Sequence, residues 1–313
     1  MLVEILFKIL SIFLLVGMGL FAHKVHLVPD DAVRTLNAFV LNVAMTCLVL
    51  HSMQRDELND KVMGDVLWAL FTFSLVTILI AVLSSLLIRP IKSIPEEDKG
   101  IYKMQLAFTN AGFMGFPLTS VLFGKYALFL AIVINIAFSV LSYSLGAFLL
   151  VHKKGEKIFT LKLLVRILNL PFIASLVGLL IFITGFHFPS FINDTLGLME
   201  ASVSPVAMFV VGLNLSRSKL KDLFTKPNMI LCFVSLVVIP AMTLGIDLLL
   251  PVSNIVLVTH VFLMAMPSAA VTTILCHRYD KNAKLSAEGV ASTTLISLGT
   301  LSAWAFILTE FFL

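Results

Sequence analysis

The amino-acid sequence predicts an all-α polytopic membrane protein of ten transmembrane helices, laid out as two inverted five-helix repeats with broken, crossing helices four and nine. Three observations carry this prediction. Of 313 residues, 59% are hydrophobic and 13% charged, with mean hydropathy +1.04; an ordinary soluble domain carries about 25% charged residues. Lysine and arginine collect at alternate ends of successive apolar segments. Two of those segments carry a proline well inside their length.

The spans follow from apolar runs of the length that covers a bilayer core, roughly twenty residues. They fall at 5–22, 36–53, 64–88, 104–123, 127–151, 163–185, 196–215, 229–250, 255–276 and 287–312. The chain opens on the apolar Met1-Leu2-Val3 without a basic leader, so its first run reads as a membrane helix and not a removable signal. Residues 1–152 form the first repeat, 153–162 a charged cytoplasmic link, and 163–313 the second repeat. An odd number of helices per half gives the halves opposite topology, the inverted-repeat layout of many secondary transporters.

Eighteen of the 22 lysines and arginines lie on the side reached after the odd-numbered spans, including Arg89, Lys92, Lys99, Lys103 and the group from Lys153 to Arg166. The positive-inside rule makes that side cytoplasmic. Both termini are then extracytoplasmic, and the cell membrane is the expected location. The basic residues are spread over short loops, which argues against a nucleic-acid partner. Cys47, Cys232 and Cys276 all fall within apolar spans, where cysteine acts as a small buried hydrophobe. No disulfide framework, metal site or cofactor is predicted.

The fourth span carries Asn110-Ala111-Gly112-Phe113-Met114-Gly115-Phe116-Pro117, and the ninth carries Ala265-Met266-Pro267-Ser268. Proline removes a backbone donor and breaks a helix interior. An interrupted helix at membrane depth is tolerated only where protein or a water-lined cavity satisfies the freed backbone groups. Pro117 and Pro267 suit the first turn of a new half-helix, whose exposed N–H groups and positive dipole end make a site for an anion. Asn110 can add an amide, Thr119 and Ser268 hydroxyls, and Gly112 and Gly115 let the backbones pass closely. A pair of interrupted spans at corresponding places in two halves is the strongest sequence pointer to a transporter binding site.

Other intramembrane polar residues are candidates by their cost alone. Asn42 lies mid-span and is the scaffold-side contact candidate, with an inter-helix hydrogen bond as its alternative. Asn135 and Asn214 read as such inter-helix bonds. His51, Glu200 and Asp247 are candidates for coupling to protons or a cation, with exposure to outer water as the alternative for Glu200 and Asp247. No zinc-binding histidine pair or aspartate pair at membrane depth, no G-x-S-x-G and no Walker A motif occurs, so an enzyme is not predicted.

NAGFMGFPL from Asn110 resembles the fourth-helix signature of the auxin efflux carrier family of permeases. The run AMPSAAVTTILCHRYDKNAKLSAEGVASTTLISLGTL from Ala265 is similar to that family's ninth and tenth helices. Ser204-Pro205-Val206-Ala207-Met208 and Pro240 match its seventh and eighth. The resemblance spans nearly the whole chain and fits the short bacterial branch, which lacks a long central loop. It implies a crossing of two broken helices, a scaffold of helices one, two, six and seven, a mobile elevator-like domain from the rest, and a homodimer. It also implies that Asn110 contacts a substrate carboxylate. The family's second helix usually reads Asn-x-Ala-x-Pro; here Asn42-Val43-Ala44-Met45-Thr46 puts Thr46 where proline is expected, which bears on the scaffold wall and on substrate preference.

The expected function is secondary-active transport of a small organic anion by alternating access, in a lipid bilayer. Malate, malonate and auxin-like aromatic carboxylates are the substrate classes, with proton or sodium coupling open. An anion channel or a membrane ligand sensor on the same fold is the alternative.

Overall fold

The computed structural model describes residues 2–54, 59–151, 170–218 and 220–313. The link at 153–162 and the start of the sixth predicted span, 163–169, lie outside these residues. Among the described residues the secondary structure is helical throughout, without strands. We number the helices in chain order: α1 Leu2–Lys24, α2 Asp30–Ser52, α3 Asp60–Ile88, α4 Lys99–Ala107, α5 Ala111–Leu150, α6 Leu170–Thr184, α7 Ser190–Ser216, α8 Leu220–Leu223, α9 Lys226–Asp247, α10 Asn254–Met264, α11 Val271–Arg278 and α12 Ala283–Phe312.

Local sequence explains where several of these begin and break. The Asn59 side chain caps α3 by accepting from the Val62 N–H at 2.9 Å, and Asn282 caps α12 through the Leu285 N–H at 3.0 Å. The long α5 is interrupted at Gly124, whose φ of 84° and ψ of −173° only glycine adopts freely. It separates 111–123 from 125–150, near the boundary between the fourth and fifth predicted spans. Single π-turns widen α2 at Val40–Ala44, α5 at Ala111–Gly115 and Ser142–Gly146, and α9 at Val234–Val238.

Among the described residues, seven helices are long and apolar enough to cross a membrane: α1, α2, α3, α5, α7, α9 and α12. Two more apolar stretches, Phe172–Thr184 in α6 and the whole of α10, are shorter. Leu67, Phe71, Leu75, Ile78, Val82 and Leu86 all lie exposed along α3, and Phe7, Leu10, Leu14, Met18 and Phe21 along α1. A soluble monomer rarely leaves such continuous apolar stripes open; lipid is their natural neighbour.

Two packing groups meet around one core. In the first, α1 lies along α7, α2 packs on α7, and α6 packs on α2. The α1–α7 contact is backbone to backbone: a Cβ on Gly19 would collide with the Phe209 carbonyl, and one on Gly212 with the Val16 carbonyl. In the second, α3 packs on α4 and α5, α5 on α10, α9 on α10 and α12, and α11 on α12.

Candidate binding site at the meeting of two interrupted helices

The interruptions in the two halves of the chain lie side by side. After α4 the backbone extends at Phe108 (φ −126°, ψ 113°) and becomes helical again at Ala111. After α10 it stays non-helical from Ala265 to Ala270. Thr109 and Ser268 pair as an isolated antiparallel bridge. The Asn110 N–H donates to the Pro267 carbonyl at 2.7 Å, and the Ala269 N–H to the Phe108 carbonyl at 2.9 Å. Two buried hydroxyls reinforce the joint: Thr109 Oγ1 donates to the Leu263 carbonyl at 2.8 Å and Ser268 Oγ to the Gln105 carbonyl at 3.0 Å. From α12, Thr293 Oγ1 accepts the Ser268 N–H at 3.1 Å, and the Ser286 carbonyl accepts from Gln105 Nε2 at 2.7 Å. Much of the backbone freed by the breaks is thus satisfied by protein, as interrupted helices in a bilayer require.

Beside this joint lie polar groups without a partner among the described residues. The Asn110 carbonyl accepts from the Gly115 N–H at 3.1 Å and opens the π-turn, but its half-buried side-chain amide has no hydrogen-bond partner among the described residues. The Asn135 amide, 8% exposed on the second part of α5, likewise has none among the described residues. Asn135 Oδ1 would lie 3.7 Å from a Cβ on Gly112, and Met45 Cε of α2 4.0 Å from it. The N–H groups of Phe113, Ala270 and Val271 find no acceptor among the described residues. Asn135 thus lies beside the π-turn that follows Asn110, and both interrupted helices carry N–H groups without an acceptor among the described residues; donors of this kind suit a carboxylate.

The sequence-predicted residues divide on this geometry. Pro117 sits at the start of the α-helical stretch from Phe116, but the half-helix itself opens earlier, with the π-turn at Ala111. Pro267 does not open its half-helix: α11 starts at Val271, because residues 267–269 are held extended against 108–110. Gly115 lies where α5 meets α10, with the Leu263 side chain 2.7 Å from where its Cβ would be. Ser268 is fully buried and its hydroxyl is committed to the joint. The Thr119 hydroxyl is buried without a partner among the described residues. Asn42 is exposed within the π-turn of α2, and none of its described contacts reaches Asn110. Thr46 Oγ1 donates to the Asn42 carbonyl at 2.9 Å. Where the related pattern has proline, this wall has a π-turn closed by a hydroxyl.

The coupling candidates each have a partner. His51 Nδ1 hydrogen-bonds Glu200 Oε2 between α2 and α7, and the imidazole Nε2 lies 3.4 Å from where a Gly197 Cβ would be. Asp247 is 1% exposed and bonded at 2.8 Å to Nδ1 of the fully buried His260, so exposure to outer water does not describe it. Asn214 exchanges amide bonds with Asn37 at 3.2 and 3.3 Å, an inter-helix tie as the sequence suggested. His260 is the residue sequence reasoning passed over, although a polar side chain mid-span was its signal; Asn135, read as an inter-helix bond, has no such partner among the described residues.

A family profile described as membrane transport protein matches residues 4–305. The chain belongs to that family. It is the family of the auxin efflux carriers, whose helix signatures the motifs at Asn110 and Ala265 resemble. The chain is similar to an uncharacterized transporter of Methanocaldococcus jannaschii, at 25% identity over 309 residues, covering 96% of this chain and 97% of that one. It is similar also to an uncharacterized transporter of Methanothermobacter thermautotrophicus, at 26% identity over 301 residues, covering 96% and 97%. The family member is thus a membrane protein of a transport family.

Proposed function

We propose that this family member is a secondary-active carrier of small organic anions, with malate- or malonate-like carboxylates or auxin-like aromatic carboxylates as substrates. The observation that carries the reading is a set of donors beside the joint without an acceptor among the described residues: the Asn110 amide and the N–H groups of Phe113, Ala270 and Val271. Carboxylate oxygens accept from such donors without requiring a buried cation.

The chain then spans the cell membrane ten times as two inverted repeats, with both termini outside. The group formed by α1, α2, α6 and α7 serves as the fixed frame, and as the homodimer contact that the family resemblance implies. The remaining helices carry the site past it in alternating access. Asn110 orients the carboxylate, Gly112 keeps the approach open, and Asn42 and Thr46 form the opposing wall.

The test is counterflow in proteoliposomes with labelled malate, malonate and an aromatic carboxylate. Saturable exchange with one of them supports a carrier; linear, unsaturable flux assigns a channel; ligand-dependent thermal stabilisation without flux assigns a sensor. Loss of one charge-assisted hydrogen bond is worth about 1.5–3 kcal/mol, so Asn110→Ala weakens substrate binding by roughly 10- to 100-fold. Normal binding by that variant refutes the role given to Asn110.

A further inference from the structure

A second polar centre lies away from the joint, where α9 ends against α10. Asp247 and His260 have side chains with 0% exposure and meet through Oδ2 and Nδ1 at 2.8 Å. The remaining polar atom of each, Asp247 Oδ1 and His260 Nε2, is buried with no partner among the described residues. The Phe73 ring of α3 covers the imidazole edge-on, with centroids 5.9 Å apart. The preceding residue on α10, Thr259, holds a hydroxyl that is also buried and unpartnered among the described residues.

The charge of this pair has few neighbours to answer it. Of the elements packed against α9 and α10, α3 brings Asp60 and Lys61 at its exposed start and the buried Asp65, which accepts from the Tyr126 hydroxyl at 2.7 Å. The second part of α5 brings Tyr126, the exposed Lys125 and, further along, Tyr143; α12 brings Lys284 and Glu288 near one end and the exposed Glu310 near the other. The described ion pairs of Asp247 and His260 are with each other alone.

A carboxylate and a neutral imidazole together carry one negative charge. One further proton brings the pair to zero, either as imidazolium with carboxylate or as imidazole with carboxylic acid. Those two forms are one macroscopic protonation step shared by both residues. A buried site of low dielectric tolerates a neutral pair far better than a lone charge, whereas water tolerates both. A pair that alternates between enclosure and contact with water takes up and releases one proton as it does so.

We propose that Asp247 and His260 form a proton-binding site that couples substrate movement to the proton gradient. His260 lies six residues inside the start of α10, about 9 Å at 1.5 Å per residue, and the helix ends four residues later at Met264, next to the joint. His260 of the pair and the Leu263 carbonyl that holds Thr109 of the joint thus share one short helix, so a movement of α10 reaches both. This coupling rests on the carrier reading; the proton site itself does not.

Two measurements separate those layers. The first is nitrogen NMR of isotope-labelled histidine in the full-length protein, with His260 assigned by its absence in His260→Asn. A change of imidazole protonation with pH that Asp247→Asn displaces supports the site; an imidazole fixed in one state over the whole pH range of the folded protein overturns it. The second is net carboxylate uptake into proteoliposomes under a pH gradient. For one coupled proton, each pH unit sustains about a tenfold accumulation ratio, and Asp247→Asn and His260→Gln, checked for helix content and a single elution peak, both lose accumulation. Accumulation that persists in these variants overturns the coupling. A titrating His260 with no flux of any carboxylate in wild type keeps the proton site and refutes the anion substrate.

Discussion

Replacing Ser268 with alanine removes a single oxygen from the most enclosed part of the molecule, and the structure sets the size of the effect. Ser268 Oγ is the one described donor to the Gln105 carbonyl, which lost its helical partner when α4 ended at Ala107. The variant leaves that buried acceptor bare, and a stranded buried acceptor costs about 1–3 kcal/mol. Thr109→Val removes the counterpart hydroxyl with little change of shape. Its acceptor, the Leu263 carbonyl, still receives the Met266 N–H at 3.3 Å. The Thr109 loss therefore belongs near the smaller value found for inter-helix bonds in membranes, roughly 0.6 kcal/mol. Ser268→Ala is expected to be the more destabilising of the two, by about 1 kcal/mol or more. Denaturant unfolding in detergent, followed by the fluorescence of Trp304 and Trp68, gives both values. Equal effects, or a larger one for Thr109→Val, would refute the reasoning that the fate of the carbonyl decides the cost.

Gly212→Ala drives a methyl group into the Val16 backbone of α1, which cannot turn aside as a side chain could; overpacking of this kind costs about 1–3 kcal/mol, and the unfolding midpoint falls accordingly. Trp304→Phe loses the indole N–H bond to the Leu236 carbonyl at 2.9 Å inside the π-turn of α9, and the same unfolding experiment is expected to read a loss of about 1–3 kcal/mol for the stranded carbonyl. In the loop before α4, the Lys99 ammonium hydrogen-bonds Glu96 at 2.6 Å and holds its carboxyl below the ordinary 4.5. A lowered folded value means stability that is present above pH 4.5 and lost as pH falls through the lowered value. Lys99→Met removes that dependence, so its unfolding midpoint falls less than that of wild type between about pH 5 and pH 3.

Hydropathy alone pointed to the long apolar helices among the described residues, because a bilayer admits few alternatives to a long apolar run. The interruptions were visible too, through Gly112, Gly115, Pro117 and Pro267. What the sequence hid was pairing. Proline at 267 suggested the start of a helix, and only contact with residues 108–110 from the other half holds it extended and delays the helix to Val271. The π-turn at Val40–Ala44 contains neither glycine nor proline, so nothing local announced it. Asp247, read near a helix end, suggested water; the packing of α10 against α9 supplies His260 and removes that water. Asn135 looked like one more inter-helix tie, yet its side chain lies beside Gly112 without a hydrogen-bond partner among the described residues.

The bridge between Thr109 and Ser268 consists of only two amide bonds, yet it constrains motion out of proportion to its size. Neither interrupted helix can slide past the other without stranding peptide groups where no solvent can rescue them. The two halves of the chain, far apart in sequence, therefore share a rivet at the point where each is weakest. Any stroke the molecule makes has to carry both half-helices together, as one body with a single seam.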